Sequence, residues 1–368
     1  MKKQVKALAG AIVLSLLIST VLSSQTVSSI NGLAFADYYY KVSGHSGTDK
    51  QNGFEFRRIY LTFENQITEK IKIRFRLESA SQKYGSSGKI NPFVKHAYLE
   101  WSDLIPGHKL YLGIAETNAF KNAEQYWGYR PIEKTIMDLE KISSSADMGI
   151  AVKGDISGLL HHWLTIFNGP GYGSPETDPF KKFGYALWIT PLRGLIIEGY
   201  MDYEKQNPDN PDFEYATDYY GSSGYTTMKG FVGYDAPAFT IGAELFSRTN
   251  LKSGAGNAST LNRVDVQRMG YSLFGSWITP LPKLKIYARY DYYDPNTGDS
   301  VISDTDGTTG LDDEHRLVIA GLDYIPAANV HIMPNLMIKS FSRSGSDPEL
   351  TARMTLYYKF DSGKIIVE

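Results

Sequence analysis

The sequence predicts an all-β fold: a transmembrane antiparallel β-barrel of about sixteen strands, with short turns at one rim and long loops at the other. Three observations carry this. Segments of about ten residues alternate strictly between apolar and polar side chains, the length a tilted strand needs to cross a bilayer. The connections between them alternate short and long. Among 368 residues, Tyr (26), Phe (17) and Gly (34) are abundant and Cys is absent, which favours strands and tight turns and removes any disulfide framework or thiolate metal site.

The N-terminus reads as a targeting segment. Lys2, Lys3 and Lys6 precede an apolar run, 7–18, that is too short to span a bilayer comfortably. Ala34-Phe35-Ala36 then forms a small-residue cleavage site directly before Asp37-Tyr38-Tyr39-Tyr40. Residues 1–36 are therefore expected to be a signal peptide cut after Ala36; the alternative is an uncleaved membrane anchor. No later apolar run approaches the roughly 18 residues of a helical span.

The barrel is expected over 37–360. From Ile71, the side chains of Ile71, Ile73, Phe75 and Leu77 face one way, and Lys72, Arg74, Arg76 and Glu78 face the other. The stretch from Lys285 sets Ile286, Ala288, Tyr290 and Tyr292 against Lys285, Tyr287, Arg289 and Asp291. The last such segment sets Leu350, Ala352, Met354, Leu356, Tyr358 and Phe360 against Thr351, Arg353, Thr355, Tyr357 and Lys359. Short connections rich in Pro, Gly, Asp and Asn fall at 65–70, 102–108, 155–160, 191–194, 235–238, 280–283 and 326–329. Between them lie long ones at 44–53, 81–92, 118–145, 169–181, 205–224, 249–264, 294–313 and 343–348. An even strand count puts both termini on the periplasmic side, and residues 361–368 read as a periplasmic tail. A soluble β-sandwich would have shorter strands and unsorted loops. Tyr60, Trp101, Trp188, Tyr234, Trp277 and Tyr324 fall near periplasmic strand ends, where an aromatic girdle is expected.

The net charge of −2 excludes a basic nucleic-acid-binding domain. No HExxH, GxSxG or GxxxxGK[ST] motif occurs, and nothing calls for a cofactor. His161 and His162 are adjacent, so in a strand they point to opposite faces and cannot share one site. The segment with Asp304, Asp306, Asp312 and Asp313 loosely matches a calcium loop but lacks its full ligand pattern; an acidic outer loop, or one bridged by divalent ions to lipid headgroups, is the plainer reading.

The run from Phe54 to Lys182 contains FEFRRIYLTF, AYLEW, YLGIAETNAF, Trp127 and Glu133, DMGI from Asp147, and FNGPG followed by Asp178 and Lys182. In order and spacing these pieces, about a third of the chain, resemble the outer-membrane porins named for phosphate-selective porins O and P. The resemblance implies a sixteen-stranded, trimeric barrel in the outer membrane of a Gram-negative-type bacterium, surrounded by lipid and passing small hydrophilic solutes. It leaves anion or phosphate preference open, because that depends on lumen lysines the sequence does not place. A barrel enzyme or an adhesive barrel is the alternative; ten or twelve strands would favour the enzyme. Outer-membrane chains commonly end on an aromatic residue, whereas here DSGKIIVE follows Phe360.

Two features of the channel are expected. Loop 118–145 is the longest and the third on the outer side. It carries Trp127, Tyr129, Ile132, Ile136, Met137 and Leu139, which can pack, and a short helix is expected over 131–140, opened by Pro131. Folded into the lumen, it would line a constriction with Lys121, Glu124, Arg130, Glu133, Lys134, Asp138 and Glu140; the alternative is an outward loop packed on a neighbouring subunit. The second feature is a basic lumen wall of Arg58, Lys72, Arg74, Arg76, Arg353 and Lys359, since closure makes the first and last strands neighbours. Such a wall opposite a partly acidic loop makes a transverse field. The alternative is solvated charge neutralised by Glu64, Glu78 and Glu100.

Overall fold

A computed structural model describes residues 26–44, 48–80, 89–206, 223–255, 262–297, 314–342, 347–363 and 365–367. The acidic residues Asp304, Asp306, Asp312 and Asp313 and the first twenty-five residues of the expected signal peptide lie outside them.

Sixteen antiparallel strands make the wall: β1 (Thr26–Ser43), β2 (Asn52–Gln66), β3 (Ile71–Ala80), β4 (Phe93–Ser102), β5 (His108–Glu116), β6 (Ala146–Asp155), β7 (Leu160–Phe167), β8 (Lys182–Ile189), β9 (Leu195–Lys205), β10 (Gly224–Asp235), β11 (Phe239–Ala255), β12 (Asn262–Ile278), β13 (Leu284–Asp294), β14 (His315–Ala327), β15 (Val330–Phe341) and β16 (Glu349–Asp361). Each pairs with its sequence neighbours, and β1 closes on β16 in register from Asn31↔Asp361 to Ser43↔Leu350. Two short helices, α1 (Lys121–Trp127) and α2 (Ile136–Leu139), lie in the connection between β5 and β6. No helix among the described residues is long and apolar enough to cross a membrane.

The polarity of the wall is inverted relative to a soluble barrel. Outward positions such as Phe56, Leu61, Phe75, Leu112, Met201, Met228, Leu273 and Leu336 are exposed, while Thr62, Glu78, Glu100, Glu198, Lys229, Arg289 and Asp323 point inward and are buried. That arrangement suits lipid outside and a polar lumen, because hydrocarbon accepts apolar side chains and the wall's backbone groups pair between neighbouring strands. Of the aromatic positions expected in the girdle, Trp101, Tyr234, Trp277 and Tyr324 lie on outward-facing positions. Tyr60 and Trp188 point into the lumen instead, both 9% exposed.

Two β-bulges decide which charges enter the lumen. In β2, Phe35 pairs with Arg58 and Ala36 with Phe56, so Arg57 is the extra residue. In β4, Arg76 pairs with His96 and Leu77 with Val94, so Lys95 is the extra residue. Each bulge turns two consecutive polar side chains inward, Arg57 with Arg58 and Lys95 with His96, which simple alternation forbids.

The ends of the chain depart from the expected boundaries. β1 begins at Thr26 and runs through Ala34-Phe35-Ala36, pairing with β2 on one side and β16 on the other. Ala34 and Phe35 are buried. The expected cut after Ala36 therefore falls inside the closing strand. Beyond Phe360 the chain turns at Asp361, whose carboxylate accepts from the Gly363 amide at 2.9 Å, and a short β17 (Ile365–Val367) pairs with Thr26–Ser28. β11 and β12 also run further than expected, leaving 256–261 as their connection instead of 249–264.

If β1 is the closing strand, leader removal must precede Thr26. N-terminal sequencing of the protein recovered from outer membranes should start at or before Thr26; a start at Asp37 would show that the barrel closes with a strand truncated by Thr26–Ala36.

Candidate functional site: the lumen and its inner loop

The connection 117–145 folds inside the barrel. Its short helices follow from local chemistry: α1 stops at Gly128, whose left-handed conformation (φ 68°) returns its amide to the Glu124 carbonyl. A turn at 130–132 separates it from α2, so the expected helix over 131–140 is realised only as Ile136–Leu139. Phe120, Ala123, Trp127, Ile132, Ile136, Met137 and Ile142 are at most 2% exposed. They pack against inward aromatic side chains of the wall: Trp127 meets Phe274 (ring centroids 5.6 Å) and Tyr287 (6.2 Å), and Tyr129 stacks on Tyr287 (4.1 Å). Each large apolar side chain so buried contributes roughly 1.5–3 kcal/mol. Glycines in the wall leave room for them. A Cβ on Gly233 would meet the Tyr126 ring at 2.6 Å, and one on Gly270 would meet Phe246 at 2.7 Å and Ile136 at 3.0 Å.

Polar contacts fix the loop on opposite sides of the barrel. From β2, Arg57 donates to the Pro131 and Ile132 carbonyls at 2.7 and 2.8 Å and pairs with Glu133 at 3.7 Å. From β16, Arg353 pairs with Glu133 at 3.7 Å, and both arginines reach Asp37 of β1, at 3.4 and 3.6 Å. Across the lumen, Arg289 of β13 donates to the Lys134 carbonyl and Asn122 donates to Glu198 of β9. Arg248 of β11 donates to the Ile142 carbonyl at 2.5 Å, and His315 of β14 meets Glu140 at 3.0 Å. At the rim of short turns, Tyr126 donates to the Gly194 carbonyl in the β8–β9 turn at 3.0 Å.

All seven expected loop residues have a place in this arrangement. Lys121 pairs with Glu116 at 3.0 Å, and Arg130 and Lys134 both pair with Asp138, at 3.2 and 3.3 Å. Glu133 and Glu140 are the docking carboxylates just described, and Glu124 lines a cavity of about 540 Å³ below the loop, with Arg76, Lys95, His96 and Arg130. Above the loop, cavities of about 460 and 320 Å³ face the outer side, one beside Glu133 and Arg353 and the other beside Lys134 and Lys182.

The expected basic wall stands together, but it is largely neutralised. Lys72 and Arg74 share Glu64, at 3.1 and 2.7 Å. Arg58 pairs with Glu78, which also takes Lys95 at 2.8 Å, and Arg353 takes Asp37 and Glu133. Arg76 instead donates to the Thr62 hydroxyl at 2.8 Å and lies over the Tyr60 ring; it has no carboxylate within 4.0 Å among the described residues. Lys359 faces inward near the rim of short turns and is exposed. Arg57, Lys95 and Lys153 were missed by the sequence reading. The two bulges hid the first two, and Lys153, which sits 4.4 Å from the Trp163 ring centre, lies in a segment where Gly and Ala blur the alternation.

No protein-family model matches the chain, and no curated protein matches it in sequence. Solved structures match it in fold. The outer membrane channel DcaP of Acinetobacter baumannii superposes with a TM-score of 0.64 at 8% identity, covering 91% of this chain and 98% of that one. An anion-selective porin from Comamonas acidovorans gives 0.63 at 12% identity, covering 91% and 100%. OmpF of Salmonella typhi, solved with daunomycin, gives 0.63 at 12%, covering 90% and 97%. The chain has the sixteen-stranded barrel fold of outer-membrane porins. At these identities the likeness speaks for the fold alone.

The Arg57–Glu133–Arg353 contact should be a latch for the loop. Replacing Arg57 by Ala removes two hydrogen bonds to the loop backbone and one partner of a buried carboxylate, a loss of about 3 kcal/mol. The folded, heat-resistant form on gels should melt at lower temperature, and single-channel current should become noisier; an unchanged melting temperature would refute the latch.

Acid should act at the same place. Burial opposes the charge on Glu133, but Arg57 and Arg353 outweigh it and hold its carboxyl below its ordinary value of 4.5. A carboxyl depressed in the docked state contributes above that ordinary value and loses its contribution as pH falls through the depressed one. Loop docking should therefore persist at pH 5 and weaken only in stronger acid, which protease accessibility of 117–145 can follow. Release already complete at pH 5 would assign the docking to other groups.

Proposed function

We propose that this chain is an outer-membrane porin: a water-filled channel through which ions and small hydrophilic solutes diffuse, narrowed by its inner loop and assembled as a homotrimer in lipid. The carrying observation is a closed sixteen-stranded barrel, apolar outside and charged inside, with a 29-residue connection docked across its lumen. Sixteen strands leave room for an aqueous path, whereas the smaller barrels expected of an enzyme fill their interior with side chains. In this reading a leader delivers the chain to the envelope and the long loops face outward.

The loop and the wall share the narrowest stretch. Arg130, Asp138 and Lys134 stand on the loop, with Arg58, Lys95, Glu78 and Arg76 facing them from β2, β3 and β4. Most of these charges cancel in pairs, so the selectivity expected is mild. A lean toward anions, as the resemblance to phosphate-selective porins suggests, draws on Arg76 and Lys153, whose cations have no carboxylate within 4.0 Å among the described residues; they act through low-dielectric walls, where screening is weak.

One arrangement tests the non-enzymatic part of this reading. His161 meets Asp155 at 2.6 Å and the Thr190 hydroxyl at 3.0 Å, the order of a nucleophile, base and orienting acid. Asp155, however, is 64% exposed and the threonine lines none of the cavities described above, so this group has neither a dry environment nor an adjoining substrate space. It serves as a cross-strand brace at the β6–β7 turn.

Planar-bilayer recording of the purified protein tests the proposal. Stepwise conductance is expected, shortening 118–145 should raise it, and Arg76→Gln should move the reversal potential in a salt gradient toward cation preference. Absence of conductance from correctly folded trimers would overturn the channel; unchanged conductance after the deletion would place the constriction elsewhere.

A further inference from the structure

The outward face at the periplasmic rim carries a pair of histidines that neither the wall nor the lumen uses. His108 of β5, Gly154 of β6 and His162 of β7 form one cross-strand row, since His108 pairs with Gly154 and Gly154 with His162. Residues in one row point to the same face. The neighbouring row of Lys109, Lys153 and Trp163 faces the lumen, so the histidine row faces out. Two strand spacings, roughly 9.6 Å, separate β5 from β7. The imidazoles nevertheless meet, with His108 Nε2 2.8 Å from His162 Nε2. They can do so only because the residue between them has no side chain: a Cβ on Gly154 would lie 2.4 Å from His108 Cδ2.

The tautomer is set on one side. His108 Nδ1 lies 2.8 Å from the Pro106 carbonyl, so it carries the proton and leaves Nε2 with a free lone pair. A histidine whose distal nitrogen donates to a backbone carbonyl is the form that ligates metals, because the hydrogen bond orients the ring and raises the basicity of the other nitrogen. Neither His108 nor His162 has a carboxylate partner among the described ion pairs, in contrast to His161, His315 and His331.

We propose that His108 and His162 form a binding site for a borderline transition-metal cation, Cu²⁺ foremost, with water completing the coordination at the membrane–periplasm boundary. Two cis imidazoles about 2.0 Å from a tetragonal Cu²⁺ stand about 2.8 Å apart, the separation present here. The rings meet almost head-on, with centroids 5.0 Å apart, as in one N–H···N hydrogen bond. Binding shifts the His162 proton from Nε2 to Nδ1 by exchange with solvent, so that the ring stays neutral, and tilts both rings so that the two lone pairs converge on the metal. Cu²⁺ is favoured over Ni²⁺ and Zn²⁺ by the general affinity order and by its square geometry; Zn²⁺ would ask the nitrogens to separate. Position adds to the case: the pair sits where water and headgroups reach the barrel.

Chelator-washed protein, folded in detergent as judged by heat-modifiable migration, should be titrated with Cu²⁺ and followed by electron paramagnetic resonance. One Cu²⁺ per protomer is expected, with hyperfine structure from two nitrogen ligands. His108→Gln and His162→Gln should each weaken binding at least tenfold and reduce the pattern to one nitrogen or none. Gly154→Val should do the same while keeping both histidines, and His331→Gln should leave binding unchanged. Absence of stoichiometric binding in the wild-type protein, or binding that survives both His108→Gln and His162→Gln, would overturn the site.

Discussion

Closure of β1 on β16 is the constraint on which the rest of this structure depends. A strand in hydrocarbon cannot leave its edge amides and carbonyls unpaired, so the sheet must end where it began. Once it closes, period-two alternation ceases to be a preference and becomes an allocation, one face to lipid and the other to the lumen. The charges of β1, β2 and β16 are then neighbours across the seam, although hundreds of residues separate them in the chain. Asp37 sits at that junction with Arg57 and Arg353 beside it and the Thr355 hydroxyl donating to it at 2.6 Å. The seam that completes the hydrogen-bonding of the wall therefore also presents the cations that hold Glu133.

Much of this was legible because each signal was local. Alternation from Ile71 to Leu77 fixes one strand without reference to any other, and the short connections at 102–108 or 235–238 announce their turns through Pro, Gly and Asp. The third position and apolar content of 118–145 sufficed to send it inward. Most of the wall residues Arg58, Lys72, Arg74, Arg76 and Arg353 were readable from parity alone.

What was not legible depends on register and on distant partners. A bulge shifts parity by one residue without a marker in composition, so Arg57, which grips the loop, reads as an outward residue until the β1–β2 pairing is known. The same holds for Lys95 on β4. Local pattern and fold also give the start of the chain different roles: Ala34-Phe35-Ala36 has the small residues of a cleavage site, yet in the fold it lies in the seam, with Phe35 turned to the lumen and Ala34 and Ala36 on the outer face. The helix expected from Pro131 gave way to a turn because Pro131 and Ile132 spend their carbonyls on Arg57, and a carbonyl engaged from the wall does not serve a helical ladder.

The pairing of lumen charges follows from the same economy. A side chain in the wall cannot turn away from the lumen without entering lipid, so every inward charge must be hydrated or matched in place. Near the inner loop water is excluded by Trp127, Ile132, Ile136 and Met137, and there the charges are matched: Lys229 with Glu198, Arg289 with Asp291, Arg353 with Asp37 and Glu133. Glu244 is the exception, 2% exposed with neither oxygen hydrogen-bonded among the described residues. Where the lumen widens below the loop, Arg76 rests on Tyr60 instead of a carboxylate. In the proposed channel, the field a permeating ion would meet is accordingly not set by the number of arginines on the wall. It is what remains after docking the loop has consumed its share of them, so a substitution that loosens the loop would also alter the charge exposed to the lumen.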